Sequence, residues 1–215
     1  MNNEYKIILD NISKKINNNN ILENINLKLE SGKIYGIRGR NGSGKTMLLR
    51  VMTGLVLPDS GKIVVDGNEI SKNKGINDKI GAIIETPGFI NYYSGFKNLK
   101  ILASIRNTID DKKICDTMTS LGLDPYDKKK VRAYSLGMKQ KLGIAQAIME
   151  DPEIILLDEP MNSLDSNSIK IVYDIINKLK DNGHTILLAS HSKEDIELLC
   201  DEVFFMEDGK LIKER

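Results

Sequence analysis

The octamer Gly39-Arg40-Asn41-Gly42-Ser43-Gly44-Lys45-Thr46, followed by Met47, has the residue types needed to hold a polyphosphate. Its glycines let backbone N–H groups converge on phosphate oxygens, and a helix beginning here adds the partial positive charge of its N-terminus. Lys45 is then placed to reach the β- and γ-phosphates, and the Thr46 hydroxyl to coordinate magnesium. A second group of reactive residues closes Ile154-Ile155-Leu156-Leu157-Asp158-Glu159, an apolar run ending in two adjacent carboxylates. Asp158 is suited to holding magnesium through water, and Glu159 to polarising a water that attacks a γ-phosphate. Acidic strand ends are common, so this second pattern gains its meaning from the first.

These residues need elements that carry them to one edge of a sheet. Ile34 to Ile37 reads as a strand entering the glycine loop, and Met47 to Met52 as the beginning of the helix that leaves it. Ile154 to Leu157 and Ile186 to Ala189 are short continuous apolar runs, as expected of strands buried on both faces of a parallel sheet. Between them Ile169, Val172, Tyr173, Ile176 and Leu179 recur at helical spacing behind a cap at Asp165 or Ser166, which completes a βαβ unit. Ligands of such sheets bind at the C-terminal edge of the strands, where Asp158 and Glu159 fall. Nearer the N-terminus, Ile25, Leu27 and Leu29 alternate with polar residues, and Ile63 to Val65 forms a β-branched run, so this part is strand-rich. Asn17 to Asn20 reads as a hairpin turn. From about Gly88 to Met149 the pattern is helical, broken at Gly122 and Pro125, with Ser135 starting the last helix. The expected fold is α/β: a parallel-sheet core over about 1–87 and 150–215, an antiparallel β element, and a helical subdomain inserted over about 88–149, all in one functional unit.

Bulk properties narrow the partners. With 31 basic and 30 acidic residues the formal net charge is +1, which gives no electrostatic footprint for nucleic acid, so none is expected as a partner. Cys115 and Cys200 lie far apart and outside any metal-ligand spacing, as suits a reducing compartment. Met1 to Asp10 lacks the order of a signal peptide, and no apolar run is long enough to span a bilayer.

Tyr134-Ser135-Leu136-Gly137-Met138-Lys139-Gln140 narrows the reading further. Here the chain resembles the ATP-binding cassette family, with Ser135, Gly137 and Gln140 on that family's signature segment, Leu136 where it usually has glycine and Met138 where it usually has glutamine. Ser163-Leu164-Asp165 is similar to the loop that signals between paired cassettes, and His191 to the switch histidine at the γ-phosphate. The resemblance runs from roughly Ile12 to Ile212. It implies the phosphate-loop NTPase fold, ATP and magnesium as ligands, and ATPase activity with Glu159, His191 and Lys45 as catalytic residues. It further implies a head-to-tail dimer in which Ser135 and Gly137 of one cassette close over ATP held by the other. The remaining partner it implies is an integral membrane permease on a separate chain, which holds the cassette on the inner face of the cell membrane. A cassette ATPase remodelling a non-membrane partner is the alternative; an unrelated phosphate-loop kinase would lack the signature and His191.

Two positions depart from the family. Glu85, in Glu85-Thr86-Pro87-Gly88-Phe89, stands where the family usually has glutamine, and it is read either as a magnesium or water ligand or as a solvated loop residue. Ile16 is assigned to the adenine-stacking position, usually aromatic; apolar contact in place of stacking predicts measurable use of GTP. The Glu85 stretch and the signature resemble cassettes of bacterial peptide-antibiotic resistance and bacteriocin immunity transporters. Phe89, Ile90, Tyr92 and Tyr93 are read as a permease-docking surface or as core.

Overall fold

The computed structural model describes residues 5–70 and 78–215, so the first four residues of the Met1 to Asp10 stretch lie outside the described part. Strand β1 (Tyr5–Ile16) turns at Asn17 and Asn18 into β2 (Asn19–Glu30). Both turn residues have positive φ, 47° and 65°, a conformation asparagine tolerates, and this makes a two-residue hairpin whose backbone twist suits the strands. Strands β4 (Ser60–Val65) and β5 (Asn68–Glu69) complete a four-stranded sheet in the order β2-β1-β4-β5.

The second sheet is built from β3 (Ile34–Arg38), β6 (Ile80–Ile83), β7 (Ile154–Asp158), β8 (Thr185–Ser190), β9 (Glu202–Glu207) and β10 (Lys210–Lys213). Its order is β10-β9-β3-β8-β7-β6; all neighbours run parallel except β10 on β9. Strands β7 and β8 are buried along their whole length, as their unbroken apolar runs require. Because side chains alternate across a strand, Ile155 and Leu157 enter one core while Ile154 and Leu156 enter another. The latter lies between the two sheets and contains α1 (Lys45–Met52), which begins two residues before the expected start at Met47.

The other core holds the remaining helices. These are α2 (Gly95–Arg106), α3 (Asp111–Ser120), α4 (Leu136–Ile148), α5 (Ser166–Asp181) and α6 (Lys193–Leu199). Ser94, Asp110, Ser135, Asp165 and Ser192 each accept a backbone N–H into the first turn of the helix they precede. Asp165 is therefore the cap of α5. Val172 and Ile176 are buried under it, with Ile169, Tyr173 and Leu179 packed at the edge. Between β6 and β7 the described chain forms helices joined by loops, with one bridge, Ser94 to Lys130, as its sole β pairing; α4 closes the segment by packing on both strands. Of the aromatic and apolar residues after Glu85, Phe89 packs on the core, whereas Ile90, Tyr92 and Tyr93 are exposed.

Candidate functional site

Strand β3 ends at Arg38, and the chain then wraps around the space in front of α1. Gly44, with φ of 112°, occupies a backbone conformation that a side chain would strain, and it caps α1. The turn before it is closed by the Ser43 N–H, which donates to the Arg40 carbonyl over 3.2 Å. The Ser43 hydroxyl is buried without a partner. The Lys45 side chain, 6% exposed, folds back to donate to the carbonyls of Gly39 at 2.7 Å and Arg40 at 3.2 Å. An unpaired buried hydroxyl and a buried ammonium whose hydrogen bonds go to two main-chain carbonyls make an anion receptor.

The edge of the sheet brings the carboxylates to this loop. Asp158, the last residue of β7, accepts a hydrogen bond from the Thr46 hydroxyl at 2.7 Å. Burial pushes its carboxyl above the usual range; the Thr46 bond works the other way, and the neighbouring Glu159 charge raises it further. Glu159 adopts φ of 49° and turns its side chain toward β8. One carboxylate oxygen accepts the His191 main-chain N–H at 3.0 Å and lies 3.8 Å from the Lys45 ammonium. The other meets the His191 ring Nδ1 at 2.9 Å and the Ser190 hydroxyl at 3.3 Å. Since an ionised carboxylate can only accept, Nδ1 carries the hydrogen, and Nε2 of the half-exposed ring is left free.

Gln140, on α4, completes the arrangement by donating from its side-chain amide to the carbonyls of Glu159 and Pro160, both at 3.1 Å. The sequence placed Gln140 in the signature segment but gave no sign of this grip on the carboxylate turn.

Lys45, Thr46, Asp158 and Glu159 line one cavity of about 600 Å³, together with Asn41, Gly42, Gly44, Met47, Arg50 and Glu85. Ile21 also lines it, and Ile16 does not. The hairpin turns at Asn17 and Asn18, so Ile16 sits near its tip, 42% exposed, while the returning strand carries Ile21 over Gly44. Ser135 and Gly137 are outside the lining, although Leu136, Lys139 and Gln140 are in it. The Ser135 hydroxyl is taken by the Met138 N–H of its own helix, at 3.1 Å. The Glu85 carboxylate is paired with Arg50 at 2.6 Å, so the expected metal or water ligand is occupied by a cation on α1. Among the described residues no group of three or more acidic, histidine or cysteine side chains forms a ready-made metal cluster.

The parallel sheet, the anion-holding loop at a helix start, and the carboxylate and histidine at the next strand ends define a nucleotide-hydrolysing cassette. The family model described as "ABC transporter" matches residues 22–162. The chain belongs to the ABC transporter family, as an ATP-binding and ATP-hydrolysing subunit. It is 45% identical over 201 residues to the uncharacterized ABC transporter ATP-binding protein YybJ of Bacillus subtilis, covering 94% of this chain and 92% of that one. Over 213 residues it is 39% identical to the bacitracin transport ATP-binding protein BcrA of Enterococcus faecalis, covering 98% and 69%. The lantibiotic transport ATP-binding protein SrtF of Streptococcus pyogenes is 36% identical over 207 residues, with 96% and 89% covered. In fold the chain superimposes on the dimeric cassette MJ0796 in a post-hydrolysis state bound to ADP and Pi, with a TM-score of 0.88 at 23% identity, covering 97% and 98%. Cassettes of this family dimerise and pair with membrane permeases. No helix among the described residues is long and apolar enough to cross a membrane.

Proposed function

We propose that the chain powers a transporter that removes antimicrobial peptides of the bacitracin and lantibiotic type, working in a head-to-tail pair bound to a permease on the inner face of the cell membrane. The observation that carries the hydrolytic half of this reading is the grip on Glu159. His191 and Ser190 hold its carboxylate, and Lys45, which would lie against the β- and γ-phosphates, stands 3.8 Å from it. A fixed carboxylate beside the γ-phosphate orients the attacking water by accepting its hydrogen bond, which is the positioning that phosphoryl transfer requires. The free Nε2 of His191 is then available to the γ-phosphate.

Magnesium fits the donors present. The Thr46 hydroxyl and Asp158 carboxylate are hard oxygen groups in direct contact, of the kind that hold this ion beside a nucleotide phosphate. When bound, the ion neutralises charge on the phosphates. In the same reading Ser135 and Gly137, outside the cavity of their own chain, serve the nucleotide of the partner cassette. Residues 88–149 act as the helical subdomain between core and permease, with exposed Ile90, Tyr92 and Tyr93 on the docking side. The names of BcrA and SrtF support the substrate class.

Two measurements test the proposal. The Glu159→Gln protein, tagged in its host, trapped with ATP and recovered from solubilised membranes, is expected to bring down a multi-spanning membrane protein in stoichiometric amount. Deleting the chain is expected to increase susceptibility to bacitracin or lantibiotics. Unchanged susceptibility together with impaired export of an unrelated solute would refute the substrate class while leaving the ATPase standing.

A further inference from the structure

One ion pair in the cavity is not accounted for by phosphate binding or by the carboxylate grip. Arg50 lies in the last turn of α1, the helix that begins with Lys45, and its guanidinium meets the Glu85 carboxylate at 2.6 Å. Glu85 belongs to the loop after β6. Both residues line the cavity that also holds Lys45, Thr46, Asp158 and Glu159. The Glu85 backbone has φ of 60°, uncommon for a residue with a side chain. The ion pair therefore ties this loop to α1.

A nucleoside triphosphate brings several negative charges into this space. Asp158 and Glu159 already contribute two carboxylates, and a third, unpaired, at Glu85 would oppose the ligand. Paired with Arg50 it is locally neutralised and held on the side of α1. The pair is half exposed, so it is weak enough to rearrange when the cavity fills.

Resting on the reading of this cavity as the Mg-ATP site, we propose that Arg50 is a positioning residue for nucleotide binding: it holds and neutralises the Glu85 carboxylate so that the triphosphate can enter beside it. Arg50 acts through Glu85 and needs no contact with the nucleotide.

The test is a set of KM and kcat measurements for Mg-ATP on the full chain. Arg50→Met is expected to raise KM about three- to fivefold with a smaller change in kcat, whereas Arg50→Lys stays near the parent value. The decisive protein is the double variant Arg50→Met/Glu85→Gln, which should return KM to within about twofold of the parent, since the carboxylate that Arg50 was neutralising is gone. The difference between parent and Arg50→Met should also shrink in about 1 M salt, where screening acts over roughly 3 Å. An unchanged KM in Arg50→Met, or a double variant as impaired as the single one, overturns the proposal; the latter result would mean that Arg50 acts on the nucleotide or on α1 directly. If Arg50→Met does not fold, Glu85→Gln alone decides: a fall in KM supports the proposal and a rise overturns it. A parent chain that fails to bind ATP would instead sink the reading of the cavity itself.

Discussion

The loop from Gly39 to Thr46 and the segment from Ser135 to Gly137 both offer groups suited to phosphate, yet the chain treats them differently. Around the first, the reactive groups are assembled within one molecule: Lys45 is buried, Thr46 is bonded to Asp158, and Glu159 is held from His191, Ser190 and Gln140. Around the second nothing comparable converges. Ser135 is exposed with its hydroxyl spent on its own helix, and neighbouring Leu136 is 69% exposed. A preorganised half can bind its ligand unaided, because its geometry is fixed before the ligand arrives. The exposed half can contribute only when another surface is brought to it. The two regions should therefore respond to substitution in different observables.

The largest effect belongs to the assembled half. Glu159→Gln preserves the shape of the side chain and removes the charge that orients the water, so kcat should fall by about 10²- to 10⁴-fold while ATP affinity is kept. A loss of less than tenfold would break the account of Glu159. In the exposed half, a side chain at Gly137 would come within 2.8 Å of the Ser163 carbonyl oxygen, a backbone atom that can yield only if its loop moves. Gly137→Ala is accordingly expected to reduce turnover by about tenfold, or roughly 1.4 kcal/mol in the barrier, with ATP binding to the isolated chain unchanged. Equal losses in binding and turnover would erase the contrast between the two regions.

The assembled half was also the more legible one. Gly39 to Thr46 is contiguous, and its chemistry follows from residue types and local conformation. Strands β7 and β8 announce themselves because burial on both faces demands unbroken apolar runs. The hairpin at Asn17 and Asn18 was equally readable, but its register was not. A turn centred there leaves Ile16 exposed and delivers Ile21 to the cavity, where the Glu23 N–H bonded to the Gly209 carbonyl fixes the returning strand, and that bond spans most of the chain. The pairing of Arg50 with Glu85 and the hold of Gln140 on the Glu159 and Pro160 carbonyls are hidden for the same reason. Each joins separate elements, and neither alters a local pattern.

Preorganisation has a thermodynamic consequence that reaches the smallest of the expected effects. Burial raises the Asp158 carboxyl above its ordinary value of 3.8, so the folded chain binds this proton more tightly than the unfolded chain does. Between 3.8 and the raised value the native state carries more protons, and stability falls as pH rises through that window. At neutral pH the ionised, buried carboxylate is thus a net cost to the nucleotide-free fold. Asp158→Asn removes the charge and keeps an oxygen that can accept from Thr46. Without nucleotide or magnesium it should melt about 2–4 °C above the parent at pH 7, corresponding to about 1 kcal/mol for a chain of this size, with the gap closing as pH approaches 4. The same substitution should abolish magnesium-dependent hydrolysis, since the charge retained at the expense of stability is the one the ion requires. A Gly137→Ala chain should show no such stabilisation at any pH, because the exposed half holds no buried charge in reserve. If Asp158→Asn melts lower than the parent, the carboxylate stabilises the unliganded fold, and the preorganised region is held together by its own charges without its geometry costing the fold anything.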